Sequence, residues 1–369
     1  MREDYSSQRM ARLQQELEQK GLDCLALVPG ANLFYLTGLS FHLSERPIVA
    51  LFPVDAPPAI ILPALEEPKV ASLSGAFQTY PYTDERGPAT AFQQACAALE
   101  LAQARIGVEE LRMRVMEARL LERYAPDCHL VPADDVMERL RVVKDAGEVA
   151  QMRRAVAIVE AALRAVLTQI RPGMTEREVA GLLMVETLRG GSEGMPFEPI
   201  VVAGPNAASP HATPTDRPIR LGETVVIDCG AMVGGYTSDI TRTVALGGLP
   251  EEILRVYEVV RRANEAGRAA IRPGRAAQDV DRAARAVIRE AGYGDFFIHR
   301  TGHGLGLEVH EPPYIVEGNR QPLQAGMTFT VEPGIYLPGA GGVRIEDDVW
   351  VTLEGAETLT TFPRELMVL

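Results

Sequence analysis

Continuous apolar runs of strand length recur through the first third of the chain, separated by amphipathic stretches. Residues 22–28 (LDCLALV), 47–54 (PIVALFPV) and 59–65 (AIILPAL) read as strands, and helical periodicity falls around residues 90–102 and 112–124. The opening segment MREDYSSQRMARLQQELEQK is polar and charged and reads as a further helix. Together these elements predict a small α/β domain over residues 1–131. Within it, the polar, Pro-ended segment FHLSERP (41–47) is expected to be a loop.

The texture changes from residue 132. Residues 134–169 form one long amphipathic stretch that runs into IRPG, where Pro172 and Gly173 must stop a helix. Thr175 and Glu178 then supply a T-x-x-E capping box for the next one. The same punctuation returns later in the chain. IRPGMTEREVAGLLMV (170–185) is matched by IRPGRAAQDVDRAARAV (271–287), and Ile170 to Ile271 is an offset of 101. LGETVVIDCG (221–230) likewise parallels QAGMTFTVEPG (324–334), which sets Asp228 opposite Glu332 at an offset of 104. In each copy a further acid follows a Gly-rich turn: Asp239 after AMVGGYTS, and Glu346 after IYLPGAGGVRI. Each copy also places a His-x-x-Pro ahead of its strand, at His211 and at His310. Two such copies predict an α+β domain over residues 132–369, internally duplicated about a pseudo-twofold axis, because the period is far too long for a solenoid. An axis of that kind would bring the paired acids together at its centre.

Composition narrows the possible partners. The chain carries 37 basic and 50 acidic residues, a net charge of −13, which repels phosphate backbones and argues against nucleic acid. No apolar run approaches the length of a membrane span, and the polar opening lacks the apolar core of a signal peptide, so the expected compartment is the cytoplasm. Cys24, Cys96, Cys128 and Cys229 are far apart and form no C-x-x-C pair. They fit reduced thiols better than a disulfide framework or a zinc knuckle.

The acids carry the chemistry. Asp228 ends a β-branched run, VVIDCG, and Glu332 ends another, TFTVEPG. A carboxylate at the end of an apolar strand is costly unless it is paired or bound to metal. Asp239 and Glu346 lie on the return strands of the two hairpins, so four carboxylates would converge, and divalent cations would compensate their charge. His303, in the Gly-rich segment TGHGLGLEVHEPP, adds a neutral imidazole, and its flanking glycines permit close backbone approach. Such an oxygen-rich site favours Mn²⁺, with Co²⁺ or Zn²⁺ as alternatives. Two ions roughly 3.5–4 Å apart can share a water and lower its pKa towards neutrality, providing a hydroxide nucleophile. His211 and His310 suit oxyanion stabilisation and proton handling. Arg344, two residues before Glu346, is on the same strand face by alternation and would orient a ligating carboxylate.

These segments resemble a known family. GHGLGLEVHEPP (302–313), VEPGIY (331–336), GVRIED (342–347) and VIDCGAMVGGYTSDITRT (226–243) are similar to the signatures of the pita-bread metallopeptidases, in particular the Xaa-Pro branch of prolidase and aminopeptidase P. The likeness extends to NLFYLTGL (32–39), typical of the creatinase-type N-terminal domain. The resemblance implies that Asp228, Asp239, His303, Glu332 and Glu346 hold two metal ions, that Glu332 also shuttles a proton, and that His211, His310 and Arg344 border the substrate. It implies a homodimer as well. The expected activity is hydrolysis of the Xaa-Pro imide bond, most simply in Xaa-Pro dipeptides. Aminopeptidase P activity on longer peptides is the nearest alternative, and a non-catalytic binding protein is the alternative of another class. A dipeptidase must recognise a free carboxylate, and Arg46 in the N-domain loop is the expected receptor.

Overall fold

The protein is described by a computed structural model covering residues 2–71 and 77–369. It divides into two compact units, Met1–Arg141 and Val142–Leu369. The boundary falls after Arg141 where residue 131 was expected, because one more helix packs back onto the first unit. Asp135 of that helix pairs with Lys20 of the opening helix, and its Leu140 carbonyl accepts from Tyr35 Oη at 2.9 Å and Arg12 Nη2 at 3.2 Å.

The first unit runs α1 (Arg2–Lys20), β1 (Cys24–Leu27), α2 (Ala31–Thr37), β2 (Val49–Pro53), β3 (Ala59–Pro63), α3 (Glu67–Ala71), β4 (Gln78–Tyr82), α4 (Ala89–Ala98), β5 (Arg105–Val108), α5 (Val115–Tyr124), β6 (His129–Pro132) and α6 (Asp134–Arg141). Met1, part of the expected opening helix, lies outside the described residues. The strands form one mixed sheet in the order β4-β3-β2-β1-β5-β6. Cys24–Leu27 and Ala59–Pro63 are buried along their whole length, as strands covered on both faces must be. Residues 41–47 form the expected loop.

The second unit runs α7 (Ala146–Leu167), α8 (Glu176–Arg189), β7 (Ile200–Ala203), β8 (Glu223–Cys229), β9 (Met232–Val233), β10 (Tyr236–Thr237), β11 (Ile240–Leu246), α9 (Glu251–Ala270), α10 (Ala277–Glu290), β12 (Gly302–Gly304), β13 (Glu311–Ile315), β14 (Thr328–Val331), β15 (Gly334–Leu337), β16 (Gly341–Arg344), β17 (Asp347–Val351) and β18 (Ala356–Thr358). The single stretch expected over 134–169 is two helices. Asp145 and Glu148 form a reciprocal capping box that starts α7 afresh. The box read at Thr175 and Glu178 is likewise present at the start of α8.

The duplication is visible in the pairing. β11-β8-β7 in one copy corresponds to β17-β14-β12 in the other, each sheet antiparallel throughout, with small hairpins β9–β10 and β15–β16 between the long strands. Helices α7 and α8 contribute Val159, Leu163, Val179 and Leu183 to a core with Val225 and Ile227 of β8. Val256, Val260 and Ile288 of α9 and α10 pack with Ile335 and Val343 of β15 and β16. Apolar helix stripes covering each sheet leave its other face for polar chemistry. The copies join where β11 meets β17: the Glu346 N–H donates to the Thr241 carbonyl at 3.1 Å, and Arg242 pairs with Asp347 at 2.9 Å, both fully buried. Among the described residues no helix is long and apolar enough to cross a membrane.

Candidate metal centre

Each copy delivers two acids at equivalent places. Asp228 lies near the end of β8 opposite Thr241, and Asp239 immediately precedes β11. Glu332 immediately follows β14, and Glu346 immediately precedes β17. The antiparallel pairing brings the end of one strand beside the start of its return strand, so both acids of a copy face the same region. His303 enters from β12 between two glycines. A Cβ on Gly302 would lie 1.8 Å from the Thr330 carbonyl oxygen, and one on Gly304 would lie 2.2 Å from that of Pro312. Only glycine lets this short strand fit between β13 and β14.

Asp239, His303 and Glu346 each offer an atom within 4.8 Å of the others, and all three are buried. Glu332 Oε1 lies 3.3 Å from His303 Nε2, and Asp239 Oδ2 lies 4.0 Å from the same nitrogen. His303 Nδ1 sits 3.1 Å from the Gly304 carbonyl, which selects the tautomer with its proton on Nδ1 and leaves Nε2 free as a ligand. Asp228 is held differently: its Oδ2 accepts from Arg344 Nη2 at 2.5 Å, while its Oδ1, like Asp239 Oδ1, is buried without a hydrogen-bond partner among the described residues. Orphaned carboxylate oxygens beside a neutral imidazole nitrogen fit a divalent cation, because the donors are hard and their charge is otherwise uncompensated.

The electrostatics agree. Burial, then the neighbouring acids, raises Asp239 and Glu346 well above the carboxylate range. Burial pushes Glu332 up to about 7, against the opposing charge of Arg344. Desolvation, followed by repulsion from His310, holds His303 down at about 3, so its imidazole is neutral. Clustered acids that resist ionisation together are what bound cations relieve.

Arg344 organises the surroundings. Besides Asp228, it donates to Thr241 Oγ1, Tyr336 Oη and the Pro210 carbonyl, each at 3.1 Å. The last bond anchors the exposed loop that carries His211. His310 is also exposed, with its ring centroid 4.1 Å from that of His303. Four participants escaped the sequence reading. Tyr336 Oη contacts His299 Nε2 at 2.9 Å, the Thr241 hydroxyl donates to Glu346 at 2.6 Å, and the Asp348 carboxylate accepts the Asp239 N–H at 3.0 Å. Tyr336 closes VEPGIY, Thr241 lies within VIDCGAMVGGYTSDITRT and Asp348 follows GVRIED, so those segments could have flagged them, whereas His299 lies outside all of them. Arg46 stands apart. Asp84 binds it through two bonds, Nε at 2.8 Å and Nη2 at 2.7 Å, and Glu45 takes Nη1 at 2.9 Å. These bonds lie at the surface, with Arg46 37% and Asp84 58% exposed.

A buried acid cluster on a duplicated sheet framework now has known counterparts. Residues 150–353 match Metallopeptidase family M24, and residues 9–143 match the Creatinase/Prolidase N-terminal domain. The chain belongs to that metallopeptidase family, its second unit has the pita-bread fold, and divalent-metal use follows from membership. It is 36% identical over 362 residues to a Xaa-Pro dipeptidase of Lactobacillus helveticus, covering 97% of this chain and 98% of that one. A dipeptidase from Pyrococcus horikoshii OT3 superposes with a TM-score of 0.93 at 40% identity, covering 98% of this chain and 100% of that one. A recombinant prolidase from Thermococcus sibiricus superposes with a TM-score of 0.94 at 36% identity, covering 98% and 99%.

Proposed function

We propose that the protein is a Xaa-Pro dipeptidase, hydrolysing the imide bond between an N-terminal residue and proline. The observation that carries this reading is the buried set of Asp239, His303 and Glu346 ligand atoms within 4.8 Å, with Glu332 3.3 Å from His303. The names of the Lactobacillus and Thermococcus relatives support the proline specificity.

Asp228, Asp239, His303, Glu332 and Glu346 would hold two divalent ions, Mn²⁺ foremost among the candidates for so oxygen-rich a set. Bound there, the ions supply Lewis acidity and lower the pKa of a nearby water. Glu332 takes the proton of the attacking water and returns it to the proline nitrogen. That transfer is essential because an imide nitrogen carries no hydrogen and is a poor leaving group until protonated. His310, set edge-on against His303, and His211 contact the substrate and stabilise charge developing on the scissile carbonyl oxygen. Arg344 keeps Asp228 oriented. Arg46, whose pairs with Asp84 and Glu45 lie at the exposed surface and can give way to a substrate carboxylate, remains the proposed receptor for the free carboxylate of a dipeptide. We further place the protein in the cytoplasm as a homodimer, with a domain junction near residue 141, and with neither membrane nor nucleic acid as a partner.

Metal analysis combined with cleavage of Ala-Pro and Ala-Pro-Ala, with and without chelator, tests the proposal. The expected result is chelator-sensitive activity restored by Mn²⁺ and a preference for the dipeptide. Preference for the tripeptide would instead assign aminopeptidase P activity, and failure to bind any divalent ion would point to a non-catalytic binding protein.

A further inference from the structure

One fully buried acid takes no part in the hydrolysis proposed above. Glu176 opens α8 and is 0% exposed. A carboxylate so placed is costly unless it is paired with a cation or well supplied with hydrogen bonds. Among the described residues no lysine or arginine donates to it, and neutral donors hold it instead. Its Oε1 accepts from the Ala203 N–H at 2.8 Å and from Asn206 Nδ2 at 3.2 Å. Its Oε2 accepts from Asn206 Nδ2 at 3.0 Å, the Thr215 N–H at 3.0 Å and Thr215 Oγ1 at 2.7 Å.

These donors sit on the two arms of one loop. Ala203 and Asn206 lie where the chain leaves β7, and Thr215 where it returns towards β8. Between them the loop reaches out to His211, five residues after Asn206 and four before Thr215. Both arms are seated closely. The Arg177 N–H donates to the Thr215 carbonyl at 3.1 Å, and a Cβ on Gly342 of β16 would lie 1.9 Å from the Ala207 carbonyl oxygen. At the tip, Arg344 Nη1 donates to the carbonyl of Pro210, the neighbour of His211. Helix α8 does not need Glu176 as a cap, because the box of Thr175 and Glu178 already closes its first turn. The bonds of Glu176 therefore serve the loop.

We propose that Glu176 is a positioning residue for His211: by clamping both arms of the loop it fixes where the imidazole meets the substrate. The proposal rests on the dipeptidase reading above, which gives His211 its role beside the scissile carbonyl. Arg344 holds the tip of the loop from the side of Asp228, and Glu176 holds its base. With the arms loosened, a displacement of the imidazole by about 1 Å is enough to cost on the order of 100-fold in rate. Because His211 acts on charge that develops only in the transition state, the loss falls on kcat more than on KM.

The test is a double-mutant cycle on Ala-Pro cleavage by the Mn²⁺-loaded full chain, comparing wild type, Glu176→Gln, His211→Ala and the double variant. Glutamine keeps the size of the side chain but turns an amide N–H₂ towards donors that need an acceptor. Glu176→Gln should lower kcat by about 10–100-fold, with Mn²⁺ affinity unchanged by titration. In the His211→Ala background the same change should cost less than about 2-fold. Hydrogen exchange over residues 207–215 should quicken by about 10-fold or more in Glu176→Gln. Thr215→Val removes one donor while keeping the shape, and should show a smaller loss with the same dependence on His211. It decides the matter if Glu176→Gln does not fold. Unchanged kcat, equal losses with and without His211, a parallel loss of Mn²⁺ binding, or unchanged exchange overturns the assignment. If wild type does not cleave Ala-Pro, or His211→Ala costs nothing, the reading of the site fails by itself. Exchange alone then decides whether Glu176 clamps the loop.

Discussion

Replacing Asp347 with Ala tests whether a buried ionic network clamps the two copies along their shared edge. Asp347 begins β17 and accepts from Arg242 Nη2 at 2.9 Å, Arg364 Nε at 2.7 Å and Nη2 at 2.9 Å, Asn264 Nδ2 at 3.0 Å and Thr360 Oγ1 at 2.8 Å. The carboxylate is 0% exposed and Arg242 1% exposed, so the substitution strands a buried guanidinium. A broken buried pair of this kind costs about 3–5 kcal/mol. Acid should expose the same energy by another route. Burial opposes the charge on Asp347, yet Arg242 and Arg364 hold its pKa at about 2, below the ordinary 3.8. A group depressed on folding contributes fully above its unfolded pKa and loses that contribution as pH falls through the folded one. The gap corresponds to on the order of 2 kcal/mol, of which about 1 kcal/mol is gone by about pH 3. Urea unfolding of wild type and Asp347→Ala at about pH 7 and about pH 3 measures both, and the difference between the proteins should narrow on acidification. A destabilisation below about 1 kcal/mol at neutral pH, or a difference that does not change with pH, refutes the reasoning.

Two further outcomes follow from the site. Arg344→Met removes the bond that orients Asp228 and should lower metal affinity and kcat/KM each by about 10–100-fold, read by metal titration and peptide cleavage. Normal metal affinity in that variant would remove Arg344 from its orienting role. Gly302→Ala forces a Cβ to within 1.8 Å of the Thr330 carbonyl oxygen. It should cost about 1–3 kcal/mol, visible as a lowered Tm together with weakened metal binding through displaced His303, and an unchanged Tm would contradict the close approach.

Legibility followed the range of the interaction. The three apolar runs at residues 22–28, 47–54 and 59–65 became β1, β2 and β3, because buried strands are written as continuous apolar sequence. β4 (QTYPY), β5 (RIGV) and β6 (HLVP) went unread, since short strands carrying polar residues and proline leave little period to detect. The break at Asp145 was legible in principle, as D-x-x-E is a capping signature, but the amphipathic pattern running across it concealed the stop. At the site the repeated strand ends pointed to Asp228, Asp239, Glu332 and Glu346. Tyr336 and Thr241 lie inside the quoted segments and Asp348 follows one, yet what they do is set by bonds to other segments, as is the contact of His299 with Tyr336.

By itself the sequence determined what is local or repeated: the capped helices, the apolar strands, and the duplicated hairpins with their acids at matching places. Spacing along a chain encodes which residues share a turn or strand, so these features needed no coordinates. Only the tertiary structure decided how the copies meet, with β11 against β17, which atoms of the acids remain unpartnered, and which arginines are already committed. Those are matters of contact between segments far apart in sequence. Hence Arg344 is found spent on Asp228, Thr241 and Tyr336, whereas the pair that Arg46 makes with Asp84 lies at the exposed surface.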